Sequence, residues 1–528
     1  MKGFLRTCLR RWGLAGLCYG LCCAGGGVIA RAEEITLRGI MPAEVQEIEI
    51  VYVEGRDPQV SWKRVVPPPR RPALRPSGPV VDLLASAGEV HSFGECTHAE
   101  ERAGGRLVIT TQAERDGPCG HVLSLRPQGV PLDALSYGVL HVSGTASVGA
   151  TISVADEAAR RREDSVPLAQ VSGRFDLRVP LGPAARRLDL RRLISLVLLP
   201  AGQANSLVLE TLALEESPSP RRNAAGLGFW VWEYREAISR GDELLDACQR
   251  FGCTRLMVQL PAAADTDELW HAYVRFLDAA RERGITPFVL DGAPEAIRSP
   301  AALIGKLRRL RTLFADERLP GVQLDVEPYL LEDFFLDPEN GFTQYLAVID
   351  RVKELLAGRA PLSIVMPFWF TSQMVKDRPV AFAVMDRADE VAVMSYRTDV
   401  RELHEIAEDT LRYGEMAGVP VWLAVETRPL PLERHVLLRR ESRRELADAY
   451  LDRAGGRLVL QAPPSADGIE WFHVDQRSTV RPERLTFAGR DRKAVRTAVA
   501  AVMGAASRYP HLAGVLIHDL QGFTALPE

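Results

Sequence analysis

The segment LPGVQLDVEPY, Leu319 to Tyr329, sets three polar side chains, Gln323, Asp325 and Glu327, at alternate positions among Val322, Leu324 and Val326. Successive side chains of an extended strand point to opposite faces, so the polar three share one face and the aliphatic three the other. Two carboxyl groups crowded in a partly dry cleft repel each other. One of them then holds its proton above the ordinary carboxylate range, as a general acid must. Glu327, nearest the open end and followed by Pro328, is the expected proton donor, with Asp325 beneath it orienting the substrate and sharing the proton.

The elements that position this pair follow from the rhythm of the chain after Asn223. Eight apolar runs, GLGFWVW, TRLMVQLP, ITPFVLDG, GVQLDVEP, LSIVMPFWF, EVAVMSYR, VPVWLAVET and AGVLIHDL, alternate with amphipathic stretches such as DELWHAYVRFLDAARERG. Near-continuous apolar strands between helices are what a closed parallel barrel requires, because both faces of each strand are buried. We therefore expect an α/β chain whose residues 225–528 form a (β/α)8 TIM barrel, with an open doubly wound sheet as the alternative. An insertion at about 428–490, containing RLVLQAPP and GIEWFHVD, reads as a β-hairpin or small insertion over the barrel mouth.

In such a barrel the carboxyl ends of the strands carry the chemistry. Glu233 after the first strand, Asp291 after the third, Glu426 on the seventh, and His518 and Asp519 on the eighth all fall where a ligand reaches, and each equally suits a loop, cap or structural hydrogen bond. An inward Glu426 would supply a second carboxylate for a two-carboxylate mechanism. Trp230, Trp232, Phe368, Trp369 and Phe370 sit at strand ends, where large rings either stack on sugars or complete the core. No G-x-S-x-G elbow, H-E-x-x-H helix or phosphate-cradling loop occurs, and no metal or organic cofactor is implied.

The fourth run resembles the strand motif of glycoside hydrolase family 18, the chitinase-like enzymes, D-G-x-D-x-D-x-E. Pro320 to Glu327 fits that frame and keeps the Gly, the last Asp and the Glu, while Pro320 and Gln323 replace the first two acids. The resemblance implies that Glu327 protonates the leaving oxygen and that Asp325 holds a substrate N-acetyl group acting as nucleophile. Met394-Ser395-Tyr396 resembles that family's M-x-Y, which implies an auxiliary role for Tyr396; Arg397 stands where the family often has an Asp, and His518 near a conserved floor Trp. Gln323, Trp369, Glu426, His518, Trp232, Glu233 and Asp291 complete the candidate substrate-binding set. The missing acids mean that proton shuttling below Asp325 differs or is absent.

Before the barrel, runs such as RLVITTQ, YGVLHVSGTA, GRFDLRVPL and LISLVLLP alternate apolar and polar residues between Gly, Pro, Asp and Ser, the pattern of an all-β sandwich over 81–216. It resembles the jelly-roll carbohydrate-binding modules attached to secreted glycosidases. Short helical pieces are expected only near Leu188 to Leu193. Pro-rich stretches at Val65 to Pro79 and Ser217 to Asn223 punctuate the chain, and Glu34 to Val65 either adds a strand to the sandwich or precedes it.

Residues 1–32 read as a secretory signal: basic through Arg11, apolar from Gly13, and ending Ala30-Arg31-Ala32. An uncleaved anchor is the alternative reading. Removing the segment takes the formal charge from -4 to -9 and disfavours a nucleic-acid partner. Cys96, Cys119, Cys248 and Cys253 then remain in an oxidising, periplasmic or extracellular compartment; a Cys96–Cys119 disulfide is expected, while Cys248 and Cys253 either pair or pack as small hydrophobes. The chain thus reads as an exported glycoside-hydrolase-like protein acting on a polysaccharide, with no membrane span after cleavage. The alternative is a non-catalytic glycan-binding or polysaccharide-assembly accessory protein that uses the barrel as scaffold.

Overall fold

The eight apolar runs form eight parallel strands closed into one barrel: Gly226–Val231, Arg255–Gln259, Thr286–Asp291, Gly321–Leu324, Leu362–Pro367, Glu390–Met394, Val421–Glu426 and Leu512–His518. This computed structural model describes residues 33–37, 41–63, 72–113, 119–202, 204–216, 225–314, 319–331, 333–505 and 508–528. The expected signal segment, the stretch 64–71 of the first linker and the linker Ser217 to Asn223 lie outside them. Among the described residues no helix is long and apolar enough to cross a membrane.

Trp230, Met257, Phe288, Leu290, Val365, Ala392, Met394, Trp422, Ala424 and Leu516 fill the barrel interior. The alternate positions, Val289, Val322, Leu324, Ile364, Val391, Leu423 and Ile517, join the core that the surrounding helices share. Helix Asp267–Glu282 shows why these helices form: Trp270, Tyr273, Phe276, Leu277 and Ala280 recur at helical spacing and are buried, and the Thr266 hydroxyl caps the first turn by accepting from the Leu269 amide at 3.4 Å.

Between Val80 and Glu215 lie nine antiparallel strands, centred on the long strand Val139–Asp156. A short helix, Gly182–Ala185, was not expected there; the turn expected near Leu188 to Leu193 is the 3-10 segment Leu190–Arg192. This region docks on barrel helix Val400–Ala417 through a shared apolar core and through ion pairs. Arg412 donates to both carboxylate oxygens of Asp133, at 2.8 and 3.0 Å, and Arg191 bridges Asp189 and Asp409. Cys96–Cys119 and Cys248–Cys253 are both disulfides.

Of the two alternatives for the segment after residue 33, the structure excludes a strand added to the all-β region, for it does not pair there. Glu33–Thr36, Glu47–Val53 and Gln59–Lys63 join four strands of the insertion, Glu433–Arg440, Ala449–Asp452, Arg457–Leu460 and Ile469–Val480, in one seven-stranded sheet. Glu47–Val53 runs antiparallel to Glu433–Arg440, so Ile48 and Ile50 share a core with Val436 and Leu438. Alternation of two requires an apolar face to be covered but does not name the partner edge. Leu336, from the turn after the fourth barrel strand, packs into the same core and places this sheet at the rim of the mouth.

Candidate active site

The fourth strand ends at Leu324, so Asp325 and Glu327 stand just beyond its ladder, on chain that stays extended. Pro328 contributes, because a residue before proline is pushed out of the helical region; Glu327 has φ -108° and ψ 83°. The Asp325 amide donates to the Asp291 carbonyl at 3.0 Å, holding this segment to the end of the third strand. That approach needs Gly292, where a Cβ would lie 2.3 Å from the Asp325 carbonyl carbon. The glycine of the strand motif has a packing reason as well, since a Cβ on Gly321 would lie 2.3 Å from the Phe288 ring.

Glu327 is buried, and the Tyr329 hydroxyl donates to its Oε1. Burial, reinforced by the charge of Asp325, holds the Glu327 carboxyl well above the ordinary carboxylate range. Asp325 is half-buried and also raised by burial, with the charge of His518 pulling the other way. Asp325 Oδ1 is shielded from solvent and has no hydrogen-bond partner among the described residues. The repulsion between the two carboxyls works in the same direction as burial on the more enclosed Glu327.

Facing them across the mouth, His518 ends the eighth strand and its Nδ1 lies 2.7 Å from Glu426 Oε2. Burial works against a charged imidazole, but Glu426, with Asp519 and Asp325 behind it, pushes His518 up to about 9. Glu426 itself is fully enclosed, and its Oε1 accepts from the amides of Thr427 and Arg428 at 2.8 and 2.6 Å. It points inward as considered, but every oxygen is committed. Tyr396 is buried beside His518, ring centroids 6.1 Å apart. Half-buried Trp232 meets His518 edge-on at 5.9 Å, and half-buried Trp369 meets Tyr329 edge-on at 5.0 Å.

Four of the candidates stand apart from this group. Gln323 is sealed in the barrel interior, where its side-chain oxygen accepts from Trp230 Nε1 at 2.6 Å and its Nε2 donates to Ser363 Oγ at 3.0 Å. It braces the floor and has no surface to offer a substrate. Asp291 lies on the outward phase of the third strand and pairs with Lys306 of helix Ala301–Leu313 at 2.9 Å. Glu233 holds the N-terminal end of helix Tyr234–Ser239 through its carbonyl, opposite in phase to Trp232. Asp519 is a structural acid, forked onto Arg428 at 2.8 and 2.7 Å.

Sequence reading missed Tyr329, although its place two residues after Glu327 was a usable signal. Gln259, half-buried on the inward phase at the end of the second strand, was missed too. The described His, Cys, Asp and Glu residues include one group at metal-binding spacing, Cys96, Cys119 and His121, and its two sulfurs are spent on a disulfide.

No family model matches the chain, and no curated protein does. Among solved structures it is similar to the spore cortex-lytic enzyme SleL of Bacillus cereus, at 10% identity and TM-score 0.33 over 60% of this chain and 74% of that one. It is similar also to the family 18 glycoside hydrolase chitinase ChiB of Flavobacterium johnsoniae, at 12% identity and TM-score 0.32 over 57% and 89%. A family 11 carbohydrate-binding module from Clostridium thermocellum matches over 26% of this chain and 95% of its own, at 12% identity and TM-score 0.21.

Proposed function

We propose that this protein is an exported glycosidase acting on a polysaccharide, with Glu327 as general acid, Asp325 as the carboxylate that orients the substrate, and Tyr396 as auxiliary. The observation that carries the reading is the pair itself: two carboxyls just beyond the fourth strand, one enclosed and bonded to Tyr329, the other with an enclosed oxygen that has no hydrogen-bond partner among the described residues. A protonated acid with its proton already poised at neutral pH is what leaving-group departure from a glycoside needs. Trp369 and Trp232 offer apolar ring faces for sugars at the rim. The region 81–216 is then a jelly-roll carbohydrate-binding module whose tethering raises the local concentration of polymer. Two disulfides fit an oxidising compartment, periplasmic or extracellular.

One observation favours the non-catalytic reading. Gln323, where the resembling motif has an acid, is neutral and locked to Trp230 and Ser363, so no acid underlies Asp325. Release of reducing ends from a panel of N-acetylated and plain glycans separates the two. The glycosidase reading expects turnover that falls by about 10²- to 10⁴-fold in Glu327→Gln. Turnover that is indifferent to the substitution removes Glu327 as the acid, and glycan binding without turnover leaves the scaffold.

A further inference from the structure

Gln323 is neutral and bonded to Trp230 and Ser363, and the seventh and eighth strands supply a charged pair to which the acid step assigns no part. Two backbone amides fix the carboxylate of Glu426, and the fixed carboxylate fixes the imidazole of His518 through Nδ1. A ring held through one nitrogen presents the other, so Nε2 is the nitrogen left for the mouth. Three rings surround the imidazole: Trp230 and Trp232 meet it edge-on with ring centroids 5.8 and 5.9 Å from its own, and the Tyr396 centroid lies at 6.1 Å. The charged groups that face it are Glu426, Asp519, Asp325 and Glu327; of these, Asp519 is neutralised by Arg428 and Glu426 is bonded. The paired Glu426 offsets part of the His518 charge, and the remainder bears on Asp325 and Glu327.

We propose that His518, held by Glu426, is the positioning cation of this site: it keeps Asp325 a carboxylate aimed at the substrate and leaves the shared proton on Glu327. The inference rests on the reading of Glu327 as general acid. His518 touches neither the breaking bond nor the leaving group; it acts through Asp325, doing what a neutral residue at 323 does not.

Two measurements test it separately from that reading. Carboxyl carbon NMR of the aspartate-labelled full chain, with Asp325→Asn to assign the signal, follows the Asp325 titration without any substrate. In His518→Gln, and equally in His518→Phe, which keeps an aromatic ring in the packing, the Asp325 titration is expected to rise, because an opposite charge that favours its ionised form is lost. The acid limb of the pH–rate profile for glycan hydrolysis is expected to rise with it. An Asp325 titration unmoved in both variants overturns the inference even if Glu327 proves to be the acid. A wild-type protein that hydrolyses no glycan sinks the glycosidase reading, while the titration still decides whether His518 is the counter-ion.

Discussion

Replacing Glu327 by glutamine should stabilise the fold while removing the proposed acid. The enclosed Glu327 carboxyl keeps its proton to higher pH than it does in the unfolded chain, where it titrates at about 4.3. Between those two values the folded state binds more protons than the unfolded one, so stability is lost as pH rises through that window. Each pH unit by which burial lifts the carboxyl costs about 1.4 kcal/mol once the group is ionised. Glutamine keeps the shape and the oxygen that accepts from Tyr329, and it does not titrate. The two proteins should therefore be close in stability below about pH 4, with the glutamine variant ahead by at least about 1.4 kcal/mol at pH 8. Relief of the repulsion on Asp325 adds in the same direction. Urea unfolding of the barrel, followed by tryptophan fluorescence at pH 5, 6.5 and 8, measures the gap. A gap that stays flat with pH, or a glutamine variant that is the weaker at pH 8, refutes the claim that Glu327 is held protonated by its surroundings.

The disulfides and the docking interface give further expectations. Cys96–Cys119 closes a sequence separation of 23 residues and Cys248–Cys253 one of 5, so the chain-entropy argument assigns them about 3 and about 2 kcal/mol; paired Cys→Ser variants compared by urea unfolding should preserve that order, and the reverse order counts against it. Arg412→Ala leaves the nearly enclosed carboxylate of Asp133 with the Leu135 amide and the half-exposed Arg75 beside it, and should cost about 3–5 kcal/mol. Arg412→Met with Asp133→Leu should recover most of that loss, because the penalty is one of stranded charge; a double variant as weak as the single one would place the loss in packing instead.

The barrel was legible because burial on both faces leaves a mark that survives in a single sequence, an unbroken apolar run. The same feature hides the phase of each strand. In the third strand Pro287, Val289 and Asp291 share one face and Phe288 and Leu290 the other, both apolar, so nothing in the sequence says that Asp291 faces outward to Lys306. In the fourth strand the polar alternation settles the phase, and Asp325 and Glu327 were readable for that reason. Gln323 shows the limit of the argument: a polar residue on the inward face of a barrel serves the floor as readily as the mouth, and depth decides which. The seven-stranded sheet was unreadable for a different reason, since its strands come from residues 33–63 and 433–480 and their pairing depends on chain closure rather than on local pattern.

Closure also explains the electrostatics of the mouth. Glu426 and His518 are partners in adjacent strands, 92 residues apart in sequence, and the ring of eight strands brings their fixed charge to face Asp325. The barrel can hold two raised carboxyls in one small volume because it is braced elsewhere: by the Gln323 bridge between Trp230 and Ser363 below, and by the Arg255–Glu390 ion pair, whose guanidinium lies 4.4 Å from the ring centres of Phe288 and Trp422. A destabilising acid placed above a satisfied polar floor is stability spent where chemistry gains from it. Loosening that floor should therefore disturb the protonation of Asp325 and Glu327 before it disturbs the outer ring of helices.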